Sequence, residues 1–89
     1  MIKIYTASWC APCKAAKSLL NDKNIKFEEV DIEKNNMSRE DLAKITGGHT
    51  VPQIIINEKC VGGFTELLAL NQSGELDRML SNENWFRNI

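Results

Sequence analysis

The chain has 89 residues, three of them cysteine, with 43% hydrophobic content, and eleven basic residues against twelve acidic leave a formal net charge of -1. That length suits one small domain with enough apolar content for a packed interior. The near-neutral balance excludes the basic footprint of a nucleic-acid or anionic-membrane binder, and no apolar run approaches the ~20 residues that span a bilayer.

The opening Met1-Ile2-Lys3-Ile4-Tyr5-Thr6 is too short and too quickly polar for a signal peptide, so the expected location is cytoplasmic. In a reducing compartment an odd cysteine count argues for a reactive pair plus one spare, not for a structural disulfide framework. Ile2, Ile4 and Thr6 alternate with Lys3 and Tyr5, which predicts a first strand ending where Trp9-Cys10-Ala11-Pro12-Cys13 begins. From Ala11 to about Asn24, Ala16, Leu19 and Leu20 share a face with Cys13, the spacing of an amphipathic helix. Pro12 suits its first turn, where a missing N–H is no loss. Lys26 to Ile32 alternates again and completes a βαβ unit.

Ser38 with Asp41 three residues on reads as the start of a second helix, with Leu42, Ala43 and Ile45 as its buried side and Gly47-Gly48 as its end. Val51 to Ile56, then Asn57-Glu58-Lys59 and Cys60-Val61, predicts a hairpin, with Pro52 tolerated at the strand's start. A third helix is expected from Phe64 to Gln72, and Leu76, Met79 and Leu80 continue helically. Residues 1–89 are read as a single domain. Residues 81–89, carrying Trp85, Phe86 and Ile89, are read as an extra C-terminal tail.

A CxxC beside a βαβ pattern reads as a redox motif. A helix N-terminus favours a thiolate by offering unpaired N–H groups and the positive end of the dipole, and Cys10 stands where that help falls. Cys13, one turn on and on the apolar face, is expected to be less exposed and to resolve the mixed disulfide that Cys10 forms. Trp9 offers a shield and a flat contact surface, and Lys14 adds positive charge.

Two plainer readings compete: a pair of small buried hydrophobes, and a zinc site from Cys10, Cys13, His49 and Cys60, which lacks a second CxxC or a spaced histidine pair. No metal site is therefore expected. His49 has no evident partner and stays outside the mechanism, and Cys60 reads as a strand residue.

The combination of IYT before the cysteine pair, GGHTVPQIII and GGFTELLAL, in this order and spacing, resembles the glutaredoxins from Met1 to about Leu80. The resemblance implies an α/β, thioredoxin-like fold: a four-stranded mixed β-sheet flanked by three or more α-helices, with strand one central. It also implies a cis Pro52 facing the cysteine pair, a main-chain substrate contact at Val51, and a γ-glutamyl carboxylate bound at Phe64 and Thr65, where a helix starts. The implied activity is thiol–disulfide oxidoreduction of protein disulfides or glutathione mixed disulfides by a monomer, with glutathione as co-substrate and no tightly bound cofactor. Such proteins donate electrons to ribonucleotide reductase, and some hold an iron–sulfur cluster, a role that a stiffening Pro12 opposes.

WCAPC departs from the glutaredoxin CPYC and is similar to thioredoxin's WCGPC. The lysine that often precedes the glutaredoxin motif is replaced by Ala7, and the buried acid of thioredoxins by Ile4. The electron donor is left open between glutathione and a thioredoxin reductase.

Overall fold

The computed structural model describes residues 1–80, so the Trp85-Phe86 tail lies outside the described residues. The elements follow in the order β1 (Ile2–Thr6), α1 (Ala11–Asp22), β2 (Phe27–Asp31), α2 (Arg39–Thr46), β3 (Gln53–Ile56), β4 (Lys59–Gly62) and α3 (Phe64–Ser73), and residues 75–80 are again helical. The strand order is β2-β1-β3-β4. β1 pairs parallel with β2 and antiparallel with β3, so the mixed sheet has strand one inside it.

Alternation in β1 sends its side chains to two different cores. Ile2 and Ile4 join Ala16, Leu20, Ile54, Ile56, Leu67 and Leu76 under α1 and α3, all completely buried. Tyr5 and Ala7 turn to the opposite face and meet Cys10, Cys13, Ile32 and Leu42. The first cluster holds the sheet against its helices. The second places the cysteines at the end of β1.

Local chemistry sets the boundaries. α1 stops at Asp22, short of the expected Asn24, and Asn24 itself takes φ 58°, a left-handed conformation that asparagine tolerates. α2 opens on a reciprocal cap: the Asp41 N–H donates to Ser38 Oγ at 3.0 Å and the Ser38 N–H donates to Asp41 Oδ2 at 3.1 Å. It closes on Gly47 at φ 84°. Between β3 and β4, Asn57 and Glu58 both have positive φ, 50° and 72°, the signature of a two-residue hairpin turn whose twist matches the strands.

One burial expectation needs correction. Ile45 is 52% exposed, whereas Leu42 is fully buried. Ile45 lies near the end of the eight-residue α2 and lines an open groove with Lys3, Tyr5, Val30 and Met37 instead of the core. Phe27 is only partly buried, because β2 is an edge strand and one of its sides has no neighbour.

Candidate active site

Strand β1 and the loop 7–9 deliver Cys10 as the N-cap of α1, with φ -90° and ψ 108°. The next residues start the helix, with Pro12 at N2. An N-cap side chain faces the first free N–H groups of its helix. Here the Cys13 N–H donates to Cys10 Sγ at 3.1 Å. That hydrogen bond and the helix dipole together set positive partial charge against Cys10 Sγ.

Cys10 and Cys13 are joined as a disulfide with Cα atoms 5.2 Å apart, while Cys60 is a free thiol. Both members of the pair are buried, Cys10 at 3% and Cys13 at 1% exposure, which preserves the expected order with a small margin. Trp9 is 63% exposed, so its ring is offered as a contact surface and does not roof the pair.

The second wall comes from the segment before β3. The Val51–Pro52 peptide bond is cis, and the Val51 carbonyl oxygen lies 3.5 Å from Cys10 Sγ. Behind it, the buried Gln53 donates from Nε2 to the Thr50 carbonyl at 2.9 Å, and its Oε1 faces Cys60 Sγ at 3.6 Å. Gln53 thereby ties the Thr50-Val51 edge to β4. Cys60 serves that tie and is not gathered with Cys10, Cys13 and His49. Among the described residues no group of three or more His, Cys, Asp or Glu is placed to hold a metal ion.

On one side of Val51-Pro52 stands the start of α3. A Cβ on Gly63 would come within 3.3 Å of the Pro52 carbonyl oxygen, so helix and cis-proline segment touch at a residue with no side chain. Phe64 packs into the first core cluster, and what it presents at the helix start is its backbone N–H, together with that of the exposed Thr65. Glu66 Oε1 accepts from the Gly63 N–H at 2.7 Å, which sets a carboxylate beside those two donors. On the other side lies a pocket of about 240 Å³ lined by Trp9, Ile32, Arg39, His49, Thr50 and Val51.

Arg39 and Ile32 gave no sign in the sequence of a place at the site, since a lone arginine at a helix start looks like any solvated charge; Thr50 stood in the GGHTVPQIII stretch. His49 was visible in the sequence, and the fold sets it in the same pocket as Arg39. The expected residues Cys10, Cys13, Val51 and Pro52 form one contiguous group, with Phe64 and Thr65 joined to it through Gly63.

A protein-family model described as Glutaredoxin matches residues 2–61. The chain belongs to the glutaredoxin family. The Pseudomonas aeruginosa protein called glutaredoxin is 44% identical over 80 residues, covering 90% of this chain and 95% of its own length. Glutaredoxin 3 of Escherichia coli strain K12 is 42% identical over 79 residues, covering 89% of this chain and 95% of its own. A crystal structure of a buckwheat glutaredoxin–glutathione complex superposes with a TM-score of 0.82 at 21% identity, over 91% of this chain and 76% of that one, a likeness of fold. This glutaredoxin is a thiol–disulfide oxidoreductase of the dithiol type, with the cysteine pair at the junction of β1 and α1. Among the described residues no helix is long and apolar enough to cross a membrane.

Proposed function

We propose that this glutaredoxin reduces protein disulfides and glutathione mixed disulfides with Cys10 as the attacking thiol, Cys13 as the resolving thiol, and glutathione as the reductant. One observation carries the reading. Cys10 Sγ accepts from the first turn of α1 and lies against the carbonyl of Val51, an edge on which a peptide-like substrate can pair beside the sulfur.

In the reduced protein the Cys10 thiolate attacks one sulfur of the substrate disulfide, forming a mixed disulfide and expelling the other sulfur as a thiolate that takes up a proton. The Cys13 thiol loses its proton and attacks Cys10 Sγ, breaking the mixed disulfide and releasing the second substrate thiol. Two electrons pass from the pair to the substrate. Two glutathione molecules return them, leaving as glutathione disulfide. Val51 would hold the main chain of glutathione. Its γ-glutamyl end bears an ammonium and a carboxylate, and the Phe64 and Thr65 N–H groups with the Glu66 carboxylate beside them offer partners for both.

Replacing Cys10 by serine should abolish reduction of both substrate classes. Cys13→Ser should keep glutathione-dependent turnover of glutathione mixed disulfides and lose protein disulfides. Full activity of Cys10→Ser in either assay would sink the proposal.

A second electron source is favoured by the exposed ring of Trp9 beside the exposed Pro12, a flat surface suited to a protein partner such as a thioredoxin reductase. Comparing kcat/KM with glutathione and with that reductase, on a ribonucleotide reductase disulfide among the substrates, identifies the donor.

A further inference from the structure

We propose that Glu33 is a positioning residue that acts through Ser8 to hold the Trp9 ring ready for a disulfide-bearing polypeptide; the inference rests on the protein-disulfide reading above. β1 and β2 stay in register as far as Thr6 opposite Asp31, and the Ile32 N–H donates to the Thr6 carbonyl at 2.9 Å as the last backbone rung. Beyond it the two segments part. Ala7 is buried with both cysteines, whereas Ser8 and Trp9 are exposed. Glu33 carries the pairing one step further with its side chain: its Oε1 accepts from the Ser8 N–H at 3.3 Å and from the Ser8 hydroxyl at 2.9 Å.

The carboxylate reaches out from a fixed point. Asp31 Oδ1 accepts from the N–H groups of Glu33 and Lys34 at 2.9 and 3.2 Å, and the Asp31 carbonyl accepts from the Asn35 amide at 2.8 Å, which folds residues 31–35 into a closed turn. Ile32 anchors that turn in the core that holds both cysteines. Hydrogen bonds to a carboxylate are stronger than those between neutral groups, so the pair on Ser8 survives at an exposed position where water competes. Cys10 is held separately, its N–H donating to the Ala7 carbonyl at 3.2 Å and its sulfur accepting from the Cys13 N–H. Trp9 lies between these two fixed points. Its ring is 63% exposed and has little packing of its own, so the direction in which it leaves the chain is set by Ser8 on one side and Cys10 on the other. A contact side chain that is already ordered spares the complex the entropy of ordering it. Glu33 touches neither sulfur and leaves the exchange chemistry alone.

The test is saturation kinetics of the reduced protein on two substrates, insulin as a protein disulfide and bis(2-hydroxyethyl) disulfide, which has no polypeptide to dock. Glu33→Ala should raise the half-saturation concentration for insulin about two- to tenfold, the effect of leaving one side chain to be ordered on docking, with the maximal rate and the small disulfide unchanged. Glu33→Gln keeps an acceptor oxygen and should recover most of that loss. Trp9→Ala should raise the same constant, and adding Glu33→Ala to it should raise it no further, because the two residues act as a unit. In a Trp85→Phe background, which leaves Trp9 as the one tryptophan, Glu33→Ala should lower the fluorescence anisotropy of the ring. A half-saturation constant or an anisotropy that Glu33→Ala leaves unchanged, or effects of Glu33→Ala and Trp9→Ala that simply add, overturns the role of Glu33 while leaving protein-disulfide reduction intact. A wild type that reduces the small disulfide and not insulin overturns the protein-disulfide reading and this inference with it.

Discussion

Single atoms decide the chemistry at the site. Sulfur at an N-cap replaces the oxygen usual there, so one member of the redox pair itself starts α1 and accepts the Cys13 N–H that a capping oxygen would otherwise take. Gln53 shows how a buried polar side chain serves the site without touching it. At 8% exposure its amide holds the Thr50 carbonyl one residue ahead of the Val51 edge. Gln53→Met keeps the volume and strands that carbonyl without its donor. Urea unfolding should register a loss of about 1–3 kcal/mol, and the KM for glutathione should rise while turnover of small disulfides is kept. In the sequence Gln53 stood in the GGHTVPQIII stretch as a strand residue. What the amide bonds to was not readable there, because Thr50 and Cys60 reach it only through the cis turn and the hairpin.

Among the elements, the hairpin and the capped helices were the most legible. Strand-forming runs separated by Asn57-Glu58 specify a short turn, and Ser38 with Asp41 specifies a helix start, because both signals act within four residues. The hairpin also retains a correctable flaw. Glu58 sits at φ 72°, a region costly to a residue with a Cβ, whereas glycine enters it freely. Glu58→Gly should raise unfolding stability by about 0.5–1 kcal/mol in the same urea assay, with activity unchanged. Ile45 was the misjudged position: helical spacing assigns it to the apolar side of α2, but spacing does not say how much of that side the sheet covers.

For the molecule as a whole, β2 is the edge strand that carries the loop behind the site, and ionic contacts tie it to its neighbours. Lys17 of α1 reaches Glu29 Oε2 at 2.9 Å, and the buried Thr6 donates to the same oxygen at 2.7 Å. The Lys17 and Thr6 hydrogen bonds hold the Glu29 carboxyl below its ordinary value of 4.5. A group with a lowered folded-state pKa stabilises the fold fully above its ordinary value, and that contribution is lost as the pH falls through the lowered one. Glu29→Gln should therefore be less stable than the wild type at pH 7, with the difference closing below pH 4.5. Urea midpoints measured across that range check the sign, and a constant gap at all pH values would contradict it.

The order of strands and helices and the reactive pair at the first strand–helix junction were set by short-range pattern, since periodicity, caps and turn residues act over a few positions, and the stretches GGHTVPQIII and GGFTELLAL carried the resemblance to the glutaredoxins. Folding alone brought Arg39 of α2, Ile32 of the loop after β2 and His49 together into one pocket with Trp9. These residues come from separate stretches of the chain, and contacts made across such separations leave no period or spacing in the sequence. The same holds for burial: whether an apolar helix position such as Leu42 or Ile45 meets the sheet depends on where the sheet ends, and that is fixed only when β2, β1 and β3 pair.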